Sequence, residues 1–209
     1  MQPPTIKIQE HVPLAPYTTL GIGGPARYFC EITTQGELLE VVAFARMQGL
    51  PIFTLGGGSN LLVSDKGFDG LVLHLAITAP IVSTEEGAYL RYEVAAGVDW
   101  DHFVHHVCEQ EVAGVECLAG IPGLVGGTPV QNVGAYGQEV AETIESVTAL
   151  DLNALAFVIT ACSALASQVP GRFSFSSLTV ASPTSTRPEG CDWPFAAWNV
   201  LMAVMVLFP

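Results

Sequence analysis

Residues 28–60 read YFCEITTQGELLEVVAFARMQGLPIFTLGGGSN. The stretch opens as an apolar, strand-like run at Tyr28, and then Leu38, Leu39, Val42 and Ala45 recur at helical spacing on one side. Gly49 is a helix stop, followed by Pro51, which cannot continue a helix. Ile52 to Leu55 is short, apolar and bounded by glycines, the pattern of a buried strand. The unit is therefore strand, helix, strand, glycine loop.

Working outward, Leu61 to Val63 and Leu71 to Leu75 are predicted as short strands separated by the polar, turn-forming SDKGFDG. A second strand pair is predicted at Ile81 to Thr84 and Leu90 to Ala95. Trp100 to Gln110 follows as a helix whose apolar side carries Phe103, Val104 and Val107. Strands and helices mixed in this way define an α+β domain.

Composition narrows the partners. The 209 residues are 50% apolar and 13% charged, which excludes a mainly disordered chain and allows one large domain or two small ones. A formal charge of −13, from 20 acidic against seven basic residues, leaves no broad cationic surface for nucleic acid. Backbone N–H groups in a glycine-rich loop can still hold a phosphate without a cationic side chain.

Five widely spaced cysteines without a CxxC pair fit reduced thiols in a cytosolic protein, with neither a disulfide framework nor a zinc site. The amino-terminal MQPPTIKIQEHVPLAPY has no apolar core of a signal peptide, so a cytoplasmic location is expected. The apolar FAAWNVLMAVMVLF, Phe195 to Phe208, is shorter than the about 17 residues that cross a bilayer, and reads as a buried helix or as sequence without a proper context. No membrane association is expected. His102 and His106 stand four apart on the second helix, but with no HExxH and no third ligand nearby they read as packed or solvent-facing histidines, not as a metal site.

Two motifs carry chemistry. Leu55-Gly56-Gly57-Gly58-Ser59-Asn60 follows a predicted strand, and its three glycines let consecutive N–H groups converge on a pyrophosphate while Ser59 and Asn60 offer side-chain hydrogen bonds. It is neither a Walker loop nor a GxGxxG turn, and alone it also fits an ordinary turn. The second motif runs from Ala119 to Gly137, with six glycines from Gly120 onward and almost no charge. That many glycines cost backbone entropy, which close approach to a flat ligand would offset. A glycine-rich crossover packed beneath a sheet is the competing reading.

The two motifs together are more specific than either alone. LGGGSNLLVSDKGFDG (55–70) and GIPGLVGGTPVQNVGAYGQEV (120–140), preceded by YTTLGIGGPA (17–26), resemble the UDP-N-acetylenolpyruvoylglucosamine reductase family in order and separation, from about Pro13 to Asp151. The resemblance implies an FAD-binding domain of the vanillyl-alcohol-oxidase type over residues 13–151, built of two small α+β subdomains that clasp the cofactor. It also implies NADPH as hydride donor and UDP-N-acetylglucosamine enolpyruvate as the UDP-sugar substrate, giving UDP-N-acetylmuramate for peptidoglycan.

Carried over by position, Gly56, Gly57, Gly58, Ser59 and Asn60 meet the FAD pyrophosphate through main-chain N–H groups. Ile121, Pro122, Gly123, Gly126, Gly127, Asn132, Gly134, Ala135 and Tyr136 line the rest of the cofactor, and Tyr17, Thr19 and Gly21 help to close the site.

After Asp151 the pattern changes. Residues 152–209 hold four charges, Arg172, Arg187, Glu189 and Asp192, and the serine-, threonine- and proline-rich Ser174 to Pro188 reads as loop or linker. The family's YRxSxF-type arginine, its serine or cysteine proton donor and its late glutamate have no counterpart here, and Arg172 stands in a different context. No catalytic residue is assigned, and residues 152–209 read as a divergent, truncated or out-of-frame tail lacking a substrate domain.

Overall fold

A computed structural model of the chain describes residues 6–160, 173–183 and 205–207. The first half contains strands β1 (Gln9–Pro13) and β2 (Pro25–Ile32), helix α1 (Gln35–Met47), and strands β3 (Ile52–Leu55), β4 (Leu61–Val63) and β5 (Phe68–Leu75). Four of these strands form a sheet in the order β1-β2-β5-β3, antiparallel at β1–β2 and parallel elsewhere.

Helix α1 forms where the periodicity predicts it, and its start is fixed by a capping box. Thr34 Oγ1 accepts the Glu37 N–H at 3.2 Å, while the Glu37 carboxylate accepts from Thr34 N at 3.1 Å. Past its end, the Leu50 N–H closes on the Ala45 carbonyl at 2.9 Å, and Gly49 holds a φ of +64. Leu38, Val41, Val42 and Ala45 are fully buried against the sheet.

The second half contains β6 (Val82–Glu86), β7 (Tyr89–Ala95), α2 (Trp100–Glu109), the single-turn α3 (Thr128–Gln131), the small hairpin β8 (Gly134–Ala135) and β9 (Gln138–Glu139), and then β10 (Ile144–Asp151), β11 (Ala156–Thr160) and β12 (Phe173–Pro183). A second, wholly antiparallel sheet has the order β11-β10-β12-β7-β6. Asp99 caps α2 by accepting the His102 N–H at 2.9 Å, and Trp100, Phe103, Val104 and Val107 turn inward.

One apolar core joins the two halves, running from Leu38 and Val42 of α1 through Leu71, Leu73 and Leu75 of β5 to Tyr92, Trp100 and Phe103. Alternate residues of the first sheet, Phe29, Phe53 and Val72, point into a smaller core with Leu14, Leu61 and Val63. Strand β5 is thus buried on both faces, as a strand with parallel partners on both sides should be.

Two expectations are corrected. The stretch from Ser174 expected as loop is strand through Pro183, and β12 lies between β10 and β7. Its strand pattern was hidden by a slip in the apolar spacing: Thr148 pairs with Ser177 but Ala149 with Phe175, so Ser176 has no counterpart on β10. The second sheet therefore draws strands from both sides of Asp151. Near the carboxyl end, where the sequence reads as a buried helix or as sequence without a proper context, Met205–Leu207 forms strand β13, parallel to β4, rather than helix. Arg172, Cys162 and Cys191 lie outside the described residues.

Among the described residues no helix is long and apolar enough to cross a membrane.

Candidate functional site

The first glycine motif leaves β3 at Leu55, beyond which the ladder to β5 ends at the pair Leu55 and His74. Gly58 takes a φ of +63, and a Cβ built there would lie 1.9 Å from the Tyr17 carbonyl oxygen. Its own carbonyl accepts the Thr19 N–H at 3.1 Å, so the opening segment lies directly against this loop. Tyr17 is anchored below by ring contacts with Phe29 at 4.6 Å and edge-on with His74 at 5.2 Å.

The second glycine segment is hung from the junction between β7 and α2. Trp100 N–H donates to the Gly123 carbonyl at 3.0 Å, Val125 N–H to Val98 at 2.9 Å, and Gly126 N–H to Ala96 at 2.9 Å. A Cβ on Gly126 would come within 2.6 Å of the Ala96 Cβ, so that glycine is required by packing alone.

The two segments meet. A Cβ on Gly57 would stand 3.1 Å from the Gly123 Cα, the Ser59 hydroxyl donates to the Pro122 carbonyl at 3.0 Å, and the Asn60 amide donates to Gln131 Oε1 of α3 at 3.0 Å. Residues 56–60 and 120–127, distant in sequence and tied by Ser59 to Pro122, 63 positions apart, thus form one continuous wall of backbone.

This wall fits a dinucleotide. Among the described residues, the N–H groups of Gly56, Gly57, Gly58 and Ser59 have no protein acceptor. Consecutive free donors next to a β-strand end form an anion-binding nest. Open space also lies over Gly56 and Gly127, where a built Cβ finds no atom within 4 Å.

The remaining expected site residues sit at the edge of this wall. Asn132 ends α3 in the left-handed conformation, φ +44, and its side chain bonds the Glu139 carboxylate at 2.7 Å and the Ala141 N–H at 3.2 Å. Gly134 and Ala135 pair with Glu139 and Gln138 rather than with the first loop. Tyr136, also left-handed at φ +53, is 80% exposed. The hairpin is fixed from behind by Gln138, whose Oε1 accepts the Cys117 N–H at 2.9 Å. Burial alone would raise the nearby Glu116 carboxyl, but hydrogen bonds, led by the Gly114 N–H at 2.5 Å, hold it below its ordinary value.

Sequence reasoning missed two side chains that shape the wall, Gln131 and Asp101. The Asp101 carboxylate on α2 accepts the Gly120 N–H at 2.6 Å. Gln131 lies inside the second motif and was within reach of a sequence reading, whereas Asp101 sits on a helix 19 residues away with no motif to mark it. His102 and His106 are on α2, where His106 contacts Gln110 at 2.9 Å. Among the described residues no group of three His, Cys, Asp or Glu is placed to hold a metal ion.

Two α+β halves joined along glycine-rich backbone define a flavin-domain architecture, and residues 26–155 match the family model described as FAD binding domain; the chain belongs to that family. Within it, the resemblance carried by the glycine motifs holds. The chain is 45% identical over 147 residues to the UDP-N-acetylenolpyruvoylglucosamine reductase of Thermobifida fusca, covering 70% of this chain and 41% of that protein. It is 52% identical over 142 residues to that of Cutibacterium acnes, covering 68% and 38%.

Among solved structures it is similar to the UDP-N-acetylenolpyruvylglucosamine reductase of Thermus caldophilus, with a TM-score of 0.69, 29% identity, and coverage of 88% of this chain and 64% of that one. A solvent-stable cholesterol oxidase, at 14% identity, TM-score 0.61 and coverage of 88% and 40%, shares the fold alone. The chain spans about two fifths of the length of these curated relatives.

Proposed function

We propose that this chain binds FAD along the wall formed by residues 56–60 and 120–136, and that it is the flavin-holding part of a cytoplasmic, NADPH-dependent UDP-N-acetylenolpyruvoylglucosamine reductase. The observation that carries the reading is the meeting of Gly57 with Gly123 beside a run of N–H groups without acceptors among the described residues. Bound FAD supplies a carrier that takes a hydride from NADPH and passes it to the enolpyruvyl group of a UDP-sugar.

The chain's own part is binding and orientation. The N–H groups of Gly56 to Ser59 neutralise pyrophosphate charge without a lysine or arginine, which suits a chain of net charge −13. Pro122 and Gly123 face the first loop and Gly127 faces open space, while Ile121 turns its side chain onto the apolar core, and together they offer backbone for a flat ring system. Gly126 acts indirectly, by letting the segment pack on Ala96. Asn132, Gly134, Ala135 and Tyr136 form the outer margin, with Tyr136 the exposed aromatic available to cover a bound ligand. The product, UDP-N-acetylmuramate, places the reaction in peptidoglycan precursor synthesis.

A second reading is a flavin-binding module without reductase activity of its own, favoured because the family match stops at residue 155 and no YRxSxF-type arginine follows. Purified chain carrying the visible absorption bands of oxidised flavin supports FAD binding, and Gly57→Leu should abolish them because its side chain must displace Gly123. NADPH oxidation that depends on the enolpyruvyl substrate supports the reductase. A yellow protein without that activity supports the module, and a colourless chain that takes up no added FAD refutes both.

A further inference from the structure

The second glycine segment is anchored unevenly. From Gly123 to Gly126 it is held by backbone hydrogen bonds to Ala96, Val98 and Trp100. Upstream, Ile121 and Pro122, which carry the segment across to the first loop, lie between two side-chain ties. At one end Ser59 donates to the Pro122 carbonyl at 3.0 Å, and at the other the Asp101 carboxylate accepts the Gly120 N–H at 2.6 Å. Gly120 holds a φ of +75 with no atom within 4 Å of a built Cβ, and the next residue, Ile121, rests its side chain on the apolar core.

An ionised acceptor makes the stronger kind of hydrogen bond. Asp101 is itself fixed, because it lies in the first turn of α2, whose N-cap Asp99 bridges to Leu124 of the same segment. The other carboxylate oxygen of Asp101 lies 3.5 Å from His105 Nε2, one helical turn on.

We propose that Asp101 is a positioning residue for the cofactor: its carboxylate fixes Gly120 and so sets the gap between Ile121–Pro122 and the first glycine loop. The proposal rests on the FAD-binding reading above. Asp101 touches no cofactor atom in this scheme and acts through the backbone of residues 120–122.

The test compares Asp101→Ala with Asp101→Asn, which keeps an oxygen able to accept from Gly120 but loses the charge that favours the start of α2. FAD affinity is measured by quenching of flavin fluorescence, and amide hydrogen exchange at Gly120 is measured without flavin. Asp101→Ala should weaken FAD binding about ten-fold and speed exchange at Gly120, while Asp101→Asn restores most of both, even if it melts earlier than wild type.

Wild-type affinity in Asp101→Ala, or an Asn variant as weak as the Ala variant, overturns the proposal. If the wild-type chain binds no flavin, the FAD reading fails and takes the effect on affinity with it. Exchange at Gly120 then still decides whether Asp101 fixes the loop.

Discussion

Replacing Gly56 by alanine asks whether a glycine is there for the fold or for a ligand. Gly56 and Gly127 have negative φ, and a Cβ built on either meets no protein atom within 4 Å. With no strain and no clash, each alanine should stabilise the flavin-free protein by about 0.4–1 kcal/mol, through the smaller entropy of the unfolded chain. For a chain of this size that is a rise in Tm of about 1–4 °C.

Gly58 is the contrast. Its left-handed φ and the 1.9 Å approach of a built Cβ to the Tyr17 carbonyl mean that Gly58→Ala should lower the Tm of the flavin-free protein. A dinucleotide lying flat on the wall meets the new methyl groups of Gly56→Ala and Gly127→Ala. At Gly56, loss of one charge-assisted hydrogen bond costs about 1.5–3 kcal/mol, so FAD binding should weaken about ten-fold or more; the Gly127 N–H already donates to the Leu124 carbonyl, so Gly127→Ala weakens binding only through the methyl group's contact with the ligand. Calorimetry of flavin-free protein and fluorescence titration with FAD read the two effects separately. If both alanine variants bind FAD as the wild type does, the open space over Gly56 and Gly127 is not the ligand site and the reasoning fails.

Two further outcomes follow from local chemistry. Thr34→Ala removes the cap of α1 and should cost about 1 kcal/mol in urea unfolding. The Thr33 hydroxyl and N–H, with Thr34, hold the Glu37 carboxyl below its ordinary 4.5, so this contribution is complete above that pH and is lost as pH falls through the lower folded-state value; a stability gap between Glu37→Gln and wild type that persists in acid argues against it. Burial, together with Glu37 and Glu31, pushes the Cys30 thiol up to about 11. At pH 8 a thiol reagent should modify exposed Cys108 and leave Cys30 untouched until the chain unfolds, as peptide mapping would reveal; equal labelling rates would contradict the burial.

Much of the fold was legible because its elements follow simple periods. Helix α1 shows in Leu38, Val42 and Ala45, α2 in Phe103, Val104 and Val107, and β3 in an apolar run between Gly49 and Gly56. The α+β class and the strand-helix-strand-loop unit were read correctly for that reason. Strand β12 was not, since serine-rich composition suggested a loop and the slip at Ser176 broke the two-residue alternation that marks a strand. The glycine segments were legible through the family resemblance. Their mutual contact depends on tertiary ties such as Ser59 to Pro122, which no local pattern encodes. Asp101 was invisible for the same reason: an aspartate in the first turn of a helix is already explained by the helix.

The position of β12 has a consequence for synthesis on the ribosome. Its neighbours β7 and β10 are both made before it, yet it pairs with each of them in the finished sheet. At elongation rates of about 5–20 residues per second, the nascent chain spends about a second or more with those two strand edges unpaired. During that interval other strands and other chains compete for the same backbone groups, so folding yield should depend on how fast this last strand is delivered.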